Sequence, residues 1–239
     1  MTTSAAKGAR TPVDLNRLFD AGAHFAQRKS RRHPSMKKFL AGSKANVELV
    51  DLAQTMSQLE KAKEVLASYA KDGRLALFVG GKREVSDIVQ EVAERINVPF
   101  VAGRWLGGTI SNFQEIKKRI DHLRDLTEKR DSGEFAKKLT KLERLFIDRD
   151  IERLETRLGG IRNLEKRPDI FVVVDTKAEA HAIKDAKRFD IPVIAIMSSD
   201  CDAADATYPI VANDASRKTV ELLLNELAGA YSDAKRVAG

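Results

Sequence analysis

The residues whose types and spacing suit chemistry fall into a few small groups. Gly80-Gly81-Lys82-Arg83 follows an apolar run and opens a helical pattern, the position at which backbone N–H groups cradle a phosphate. A Walker loop needs a glycine five residues before the Gly-Lys pair and a Ser or Thr after it. Ala76 and Arg83 stand at those places, so the segment reads as a tight strand-to-helix turn. Asp175 ends a second apolar run, where open-sheet enzymes place catalytic groups, but with Thr176 beside it helix capping is the simpler role. Asp200, Asp202 and Asp205 suggest a site for a hard metal ion, yet they lack EF-hand spacing and read as a polar loop. His24, His33, His122 and His181 are scattered, and Cys201 is the single cysteine. No catalytic constellation emerges, and the expectation is no catalytic residue, no cofactor and no metal.

Cations are better represented. Arg28, Lys29, Arg31, Arg32, Lys37 and Lys38 crowd an irregular stretch in which Pro34 disfavours helix at His33, so it reads as an extended, unstructured arm. Arg104 and Trp105 sit together in Gly103-Arg104-Trp105-Leu106-Gly107-Gly108, where the ring is either core packing or a platform for a base. Lys117, Lys118, Arg119 and Arg124 follow on a helical pattern. These twelve residues are the candidate RNA-binding set. Regional charge agrees: residues 1–50 carry ten Lys/Arg against three Asp/Glu, and 114–167 sixteen against twelve, whereas 51–113 balance at eight each and 168–239 carry eight against twelve. Basic patches of this kind are the electrostatic footprint of a polyanion partner, although they also serve solubility or acidic proteins.

The elements that must position these groups are legible as patterns. Leu75–Val79, Ile170–Val174 and Pro192–Met197 are continuous apolar runs, with shorter strand signals at Ala45–Val50, Val98–Val101 and Ile210-Val211. Helical patterns lie between them, near Val13–Ala21, Thr55–Ala70, Arg83–Ile96, Ala178–Phe189 and Ala215–Tyr231. Alternation of solidly apolar strands with helices predicts an open parallel sheet covered on both faces. Between Gly107-Gly108 and Gly159-Gly160 the period changes. Phe113, Ile116, Ile120, Leu123 and Leu126 form one helical stripe, and Ile147, Ile151, Leu154 and Leu158 form another after a Thr140–Glu143 capping box. Asn112–Arg130 and Thr140–Leu158 match in length, each ~28 Å at 1.5 Å per residue, and would zip antiparallel with the glycine pairs as joints. The expected organisation is a tail at 1–12, an α/β domain at 13–110 and 161–232, an inserted coiled-coil hairpin at 111–160, and a tail at 233–239.

Composition narrows the classes. Hydrophobic content of 43% allows a sizeable core, and the charged fraction of 32% is high. No apolar run reaches the ~20 residues of a membrane span, the first residues lack a secretory signal's hydrophobic stretch, and one cysteine suits a reducing compartment.

Several motifs together resemble the small-subunit ribosomal protein S-two family, bacterial type. They are Ala21-Gly22-Ala23-His24-Phe25, Phe78-Val79-Gly80, Gly103–Gly108, Leu158-Gly159-Gly160-Ile161, Pro168-Asp169 with Asp175, and Asp200-Cys201-Asp202. Ala26-Gln27, Arg32-His33-Pro34, Asp190 and Val211–Asp214 depart from the family's usual residues. The resemblance implies a flavodoxin-like, three-layer α/β/α parallel sheet with an inserted antiparallel coiled-coil hairpin. It also implies a non-catalytic role in the cytoplasmic ribosome, binding small-subunit ribosomal RNA and other small-subunit proteins between body and head, with no membrane and no small-molecule substrate. The rival readings are a nucleotide- or metal-dependent open-sheet enzyme using Asp175 and the Asp200–Asp205 loop, and a coiled-coil adaptor that binds only proteins.

Overall fold

A computed structural model describes residues 13–135 and 139–238. The chain runs α1 (Leu15–Asp20), β1 (Phe25–Arg28), β2 (Leu40–Lys44), β3 (Val47–Val50), α2 (Leu52–Lys71), β4 (Ala76–Val79), α3 (Ser86–Arg95) and β5 (Phe100–Val101). It continues with α4 (Phe113–Asp131), α5 (Lys141–Leu158), β6 (Ile170–Val174), α6 (Ala180–Arg188), β7 (Val193–Met197), β8 (Tyr208–Val211) and α7 (Arg217–Ala238). Five strands pair in the order β5-β4-β6-β7-β8, all parallel. Counted from β4, this is the 2-1-3-4-5 order of flavodoxin-like sheets.

Every residue of β4, β6 and β7 is buried, because side chains alternate between two cores. Ala76, Phe78, Val172, Val174, Ile194 and Ile196 pack with α2, α3 and α7 on one face. Leu77, Val79, Phe171, Val173, Ala195 and Met197 pack with α6, Trp105 and Ile110 on the other. Each large apolar side chain so buried contributes ~1.5–3 kcal/mol. The covering helices follow from spacing: Leu59, Ala62, Leu66 and Ala70 line the buried side of α2, and Val220, Leu223, Leu227, Tyr231 and Ala234 that of α7.

Several sequence expectations need correction. α2 begins at Leu52 rather than Thr55, because the Asp51 carboxylate accepts N–H bonds from Ala53 and Gln54 at 3.0 and 3.4 Å. Residues 233–238 are not a tail: α7 continues through them, since the apolar spacing carries on to buried Ala234. The basic arm is not unstructured, because β1 and β2 flank β3 in a separate antiparallel sheet, with 3-10 turns at Lys29–Arg31 and Pro34–Phe39 between them. The tail expected at 1–12 lies outside the described residues. α4 and α5 stand between β5 and β6 and touch each other, with Ile116, Ile120, Leu123, Ile151 and Leu158 buried in the cluster that contains the second face of the sheet. Thr140 caps α5 as a full capping box.

Two glycines act by close approach rather than by reversing the chain. A Cβ on Gly81 would meet the Gly103 carbonyl oxygen at 2.3 Å, and one on Gly160 would meet the Phe100 carbonyl oxygen at 2.4 Å. The first packs the chain leaving β4 against the chain leaving β5 towards α4, and the second packs the exit of α5 against β5 itself. Gly81→Ala and Gly160→Ala should each destabilise by ~1–3 kcal/mol in denaturant melts, as overpacking does. Gly107→Ala, with nothing within 4 Å of its Cβ, should be tolerated.

Candidate nucleic-acid interface

The segment 28–38 is a folded platform. Its anchors are the β1 pairing with β3 and the loop after β7, where His33 N–H donates to the Ser199 carbonyl at 2.8 Å and Gln27 N–H to Ser199 Oγ at 3.1 Å. The Ser35 hydroxyl donates to Asp202 Oδ1 at 3.0 Å and accepts from Ala203 N–H at 3.0 Å. The Asp202 carboxyl is held below its ordinary range by the Ala204 N–H first, with Ser35 and His33 adding to it. Met36 is the buried pin beneath. Above this frame Arg28, Lys29, Arg31, Lys37 and Lys38 are exposed, and Lys38 lies over the Phe39 ring at 4.9 Å. Arg32 is different: it pairs at 3.1 Å with Glu48, whose side chain is only 3% exposed, so its charge neutralises an interior carboxylate. It leaves the phosphate-contact set.

Trp105 leaves the set as well. It is 6% exposed, donates Nε1–H to Asp185 at 2.9 Å and meets Phe171 with ring centroids 5.8 Å apart, so it has no face to offer a base. Arg104 beside it is exposed, as are Lys117, Lys118, Arg119 and Arg124 on the outer side of α4, with Lys118 held by Glu115 at 2.6 Å. No sequence motif marks the cleft between β5, the loop that follows it and α5, about 1510 Å³ in volume. Arg104, Arg130, Arg157 and Arg162 line it, but so do Glu94, Asp148, Glu152 and Glu155. Four charges of each sign make a neutral cleft rather than a phosphate funnel. The platform carries the clearer positive field, with six Lys/Arg and no Asp/Glu in residues 28–38, whereas α4 carries six against five and its unpaired cations among the described residues are Lys117, Arg119 and Arg124.

The carboxyl ends of the strands were the alternative site, and they hold an ion cluster. Lys82 Nζ lies 3.1 Å from Asp175 Oδ2 and 3.7 Å from Asp214 Oδ1, and Glu179 accepts the Gly81 N–H at 2.8 Å. Burial, then Asp175, pushes the Asp214 carboxyl up to about 7 against the pull of Lys82. Burial also raises Glu179, and it pushes the Cys201 thiol up to about 11. Asp175 caps α6's entrance, accepting N–H bonds from Lys177 and Ala178 at 3.1 and 3.0 Å. Its φ of +64° is the left-handed conformation that Asp tolerates. The three loop aspartates do not converge: Asp200 pairs with Lys177, Asp202 with Ser35, and Asp205 with Lys187. Among the described residues no helix is long and apolar enough to cross a membrane.

The family model for ribosomal protein S2 matches residues 18–234. The chain belongs to the ribosomal protein S2 family. Its relatives are of bacterial type and share the name small ribosomal subunit protein uS2. That of Mesorhizobium japonicum is 42% identical over 220 residues, covering 92% of this chain and 84% of the relative. That of Arthrobacter sp. (strain FB24) is 37% identical over 221 residues, 92% of this chain and 75% of the relative. Wolinella succinogenes supplies a third, 36% identical over 227 residues, 95% and 83% respectively. Ribosomal protein S2 is a structural family rather than an enzymatic one, so the ion cluster is read for what it does to the fold.

That effect has a sign. Asp214 binds its proton with a pKa of about 7 in the folded chain against 3.8 ordinarily, so between those values the folded state holds the extra proton and stability falls as pH rises. In metal-free buffer the chain should lose on the order of 2–4 kcal/mol from this group between pH 4 and pH 8. Asp214→Asn should flatten that decline, read as melting temperature against pH.

Proposed function

We propose that the chain is a structural constituent of the small ribosomal subunit, holding ribosomal RNA and neighbouring ribosomal proteins in the cytoplasmic ribosome and supporting translation without catalysis. The observation that carries this reading is the mounting of exposed cations on rigid supports in a member of the S2 family. Arg28, Lys29, Arg31, Lys37 and Lys38 stand on a platform pinned to the sheet, and Lys117, Lys118, Arg119 and Arg124 stand on the outer side of α4. Residues 111–160 serve as an inserted antiparallel coiled-coil hairpin. Its root merges with the second core through Ile116 and Leu158, and its distal half supplies reach. Phosphate contact is the mode that fits such surfaces, because exposed Lys and Arg fix a protein on the phosphate backbone through charge. The acidic C-terminal part faces solvent or basic protein neighbours.

Arg28, Lys29 and Arg31 replaced together by Ala should weaken binding to small-subunit ribosomal RNA. The slope of log affinity against log salt should flatten by ~0.7–0.9 for each phosphate no longer neutralised. Lys117, Arg119 and Arg124 replaced by Ala, a helix-favouring change that spares the fold, should do the same. Unchanged slopes in both variants would refute the reading. An adaptor that binds only proteins would co-purify with the same partners after nuclease treatment, whereas the proposed role requires that RNA removal strips most of them.

A further inference from the structure

α5 carries two apolar stripes rather than one. Ile147, Ile151, Leu154 and Leu158 recur at helical spacing and turn inward, into the core on the second face of the sheet. Leu142, Leu145, Phe146 and Arg149 also recur at helical spacing, but half a turn away, so they share the opposite face. That face is open: Leu142 is 62% exposed, Leu145 45% and Phe146 56%. Leu142 and Leu145 continue into an apolar groove of about 760 Å³ that Phe135 and Arg130 border on its far side. The Thr140 capping box starts α5 immediately before these residues, so the patch stands on a helix whose first turn is already fixed.

Charges at the margin decide what fits the patch. Lys141, Asp148 and Glu152 lie along one flank of it, and none of the three forms an ion pair among the described residues. Lys141 and Asp148 are ~10.5 Å apart along the helix, too far to pair within one chain. Laid antiparallel against an identical helix, with the two-fold axis between Leu145 and Phe146, the surface is complementary to itself. Leu145 meets Leu145, Phe146 meets Phe146, and the apolar stem of Arg149 covers Leu142. Lys141 of each copy falls beside Asp148 and Glu152 of the other. A wholly acidic or wholly basic partner helix would leave one sign of that flank unanswered.

We propose that a second copy of this chain docks on the outer face of α5, with Leu142, Leu145 and Phe146 of each packed together as an antiparallel, two-fold pair. Two helical turns make a smaller contact than a standard interface, so the pair is reversible and forms in the free chain, where it takes these side chains out of water. The cations proposed to meet RNA stand on the platform and on α4, so the pairing goes beyond that reading and does not rest on it.

Sedimentation equilibrium of the full chain, freed of RNA by nuclease, tests it. The mean mass should rise with concentration from one chain towards two. Leu145→Asp, at an exposed position where circular dichroism should show the helix content unchanged, should weaken association by about tenfold or more. Lys141→Asp and Asp148→Lys should each weaken it, and the two together should restore it towards the parent, because the pair they rebuild exists only between copies. A monomer at every concentration, an undiminished dimer in Leu145→Asp, or a double variant no better than the single ones would each overturn the proposal. So would a parent chain that stays monomeric while Leu145→Asp loses a neighbouring protein from reconstituted small subunits, since the face would then belong to that protein.

Discussion

Neither β6 nor β7 has a solvent-facing residue: Ile170–Val174 and Val193–Met197 are buried at every position. A parallel strand so composed is stable only with helices on both faces, and the remainder of the chain meets that demand. α2 and α7 close one side, while α6, Trp105 and the roots of α4 and α5 close the other. Trp105 illustrates the consequence. Its ring is committed to Phe171 and its N–H to Asp185, so a residue that resembled a recognition element is a structural one.

The same constraint sends the loops after β6, β7 and β8 to one end of the sheet, where they do two things. The β7 loop grips the basic platform through Ser199, Asp202 and Ala203, contacts that span more than 160 residues of sequence. The neighbouring loops concentrate carboxylates around Lys82, at the switch point where an open-sheet enzyme would place its substrate. In this chain that position is a charge cluster, and the exposed cations proposed to meet the partner lie on added elements: the small antiparallel sheet and the α4–α5 excursion.

The parallel sheet was legible because continuous apolar runs have few alternatives, and α4 and α5 because their stripes and the Thr140 box agree. Of the small sheet only β3 was, as the strand signal at Ala45–Val50, and its partners were not, for physical reasons. β2 is almost wholly exposed and β1 half so, which leaves no alternation to read. The β2–β3 turn places Ala45 and Asn46 at φ +48° and +64° without the glycine that usually marks such a turn. Of the twelve candidate RNA-binding residues, Arg32 and Trp105 failed because their partners, Glu48 and Asp185, are set by tertiary folding. α7 outran its expected end because Ala234 reads as surface until Leu227 and Tyr231 are seen to share its face.

The central claim is that two separate basic surfaces, fixed to one scaffold, meet RNA. Lysine-directed cross-linking in intact small subunits carrying this chain tests it most directly, because Lys29 and Lys37 report the platform while Lys117 and Lys118 report α4. The account predicts RNA adducts on both pairs and few on Lys218 of α7. Adducts confined to α7, or RNA-free lysines on both surfaces, would contradict it.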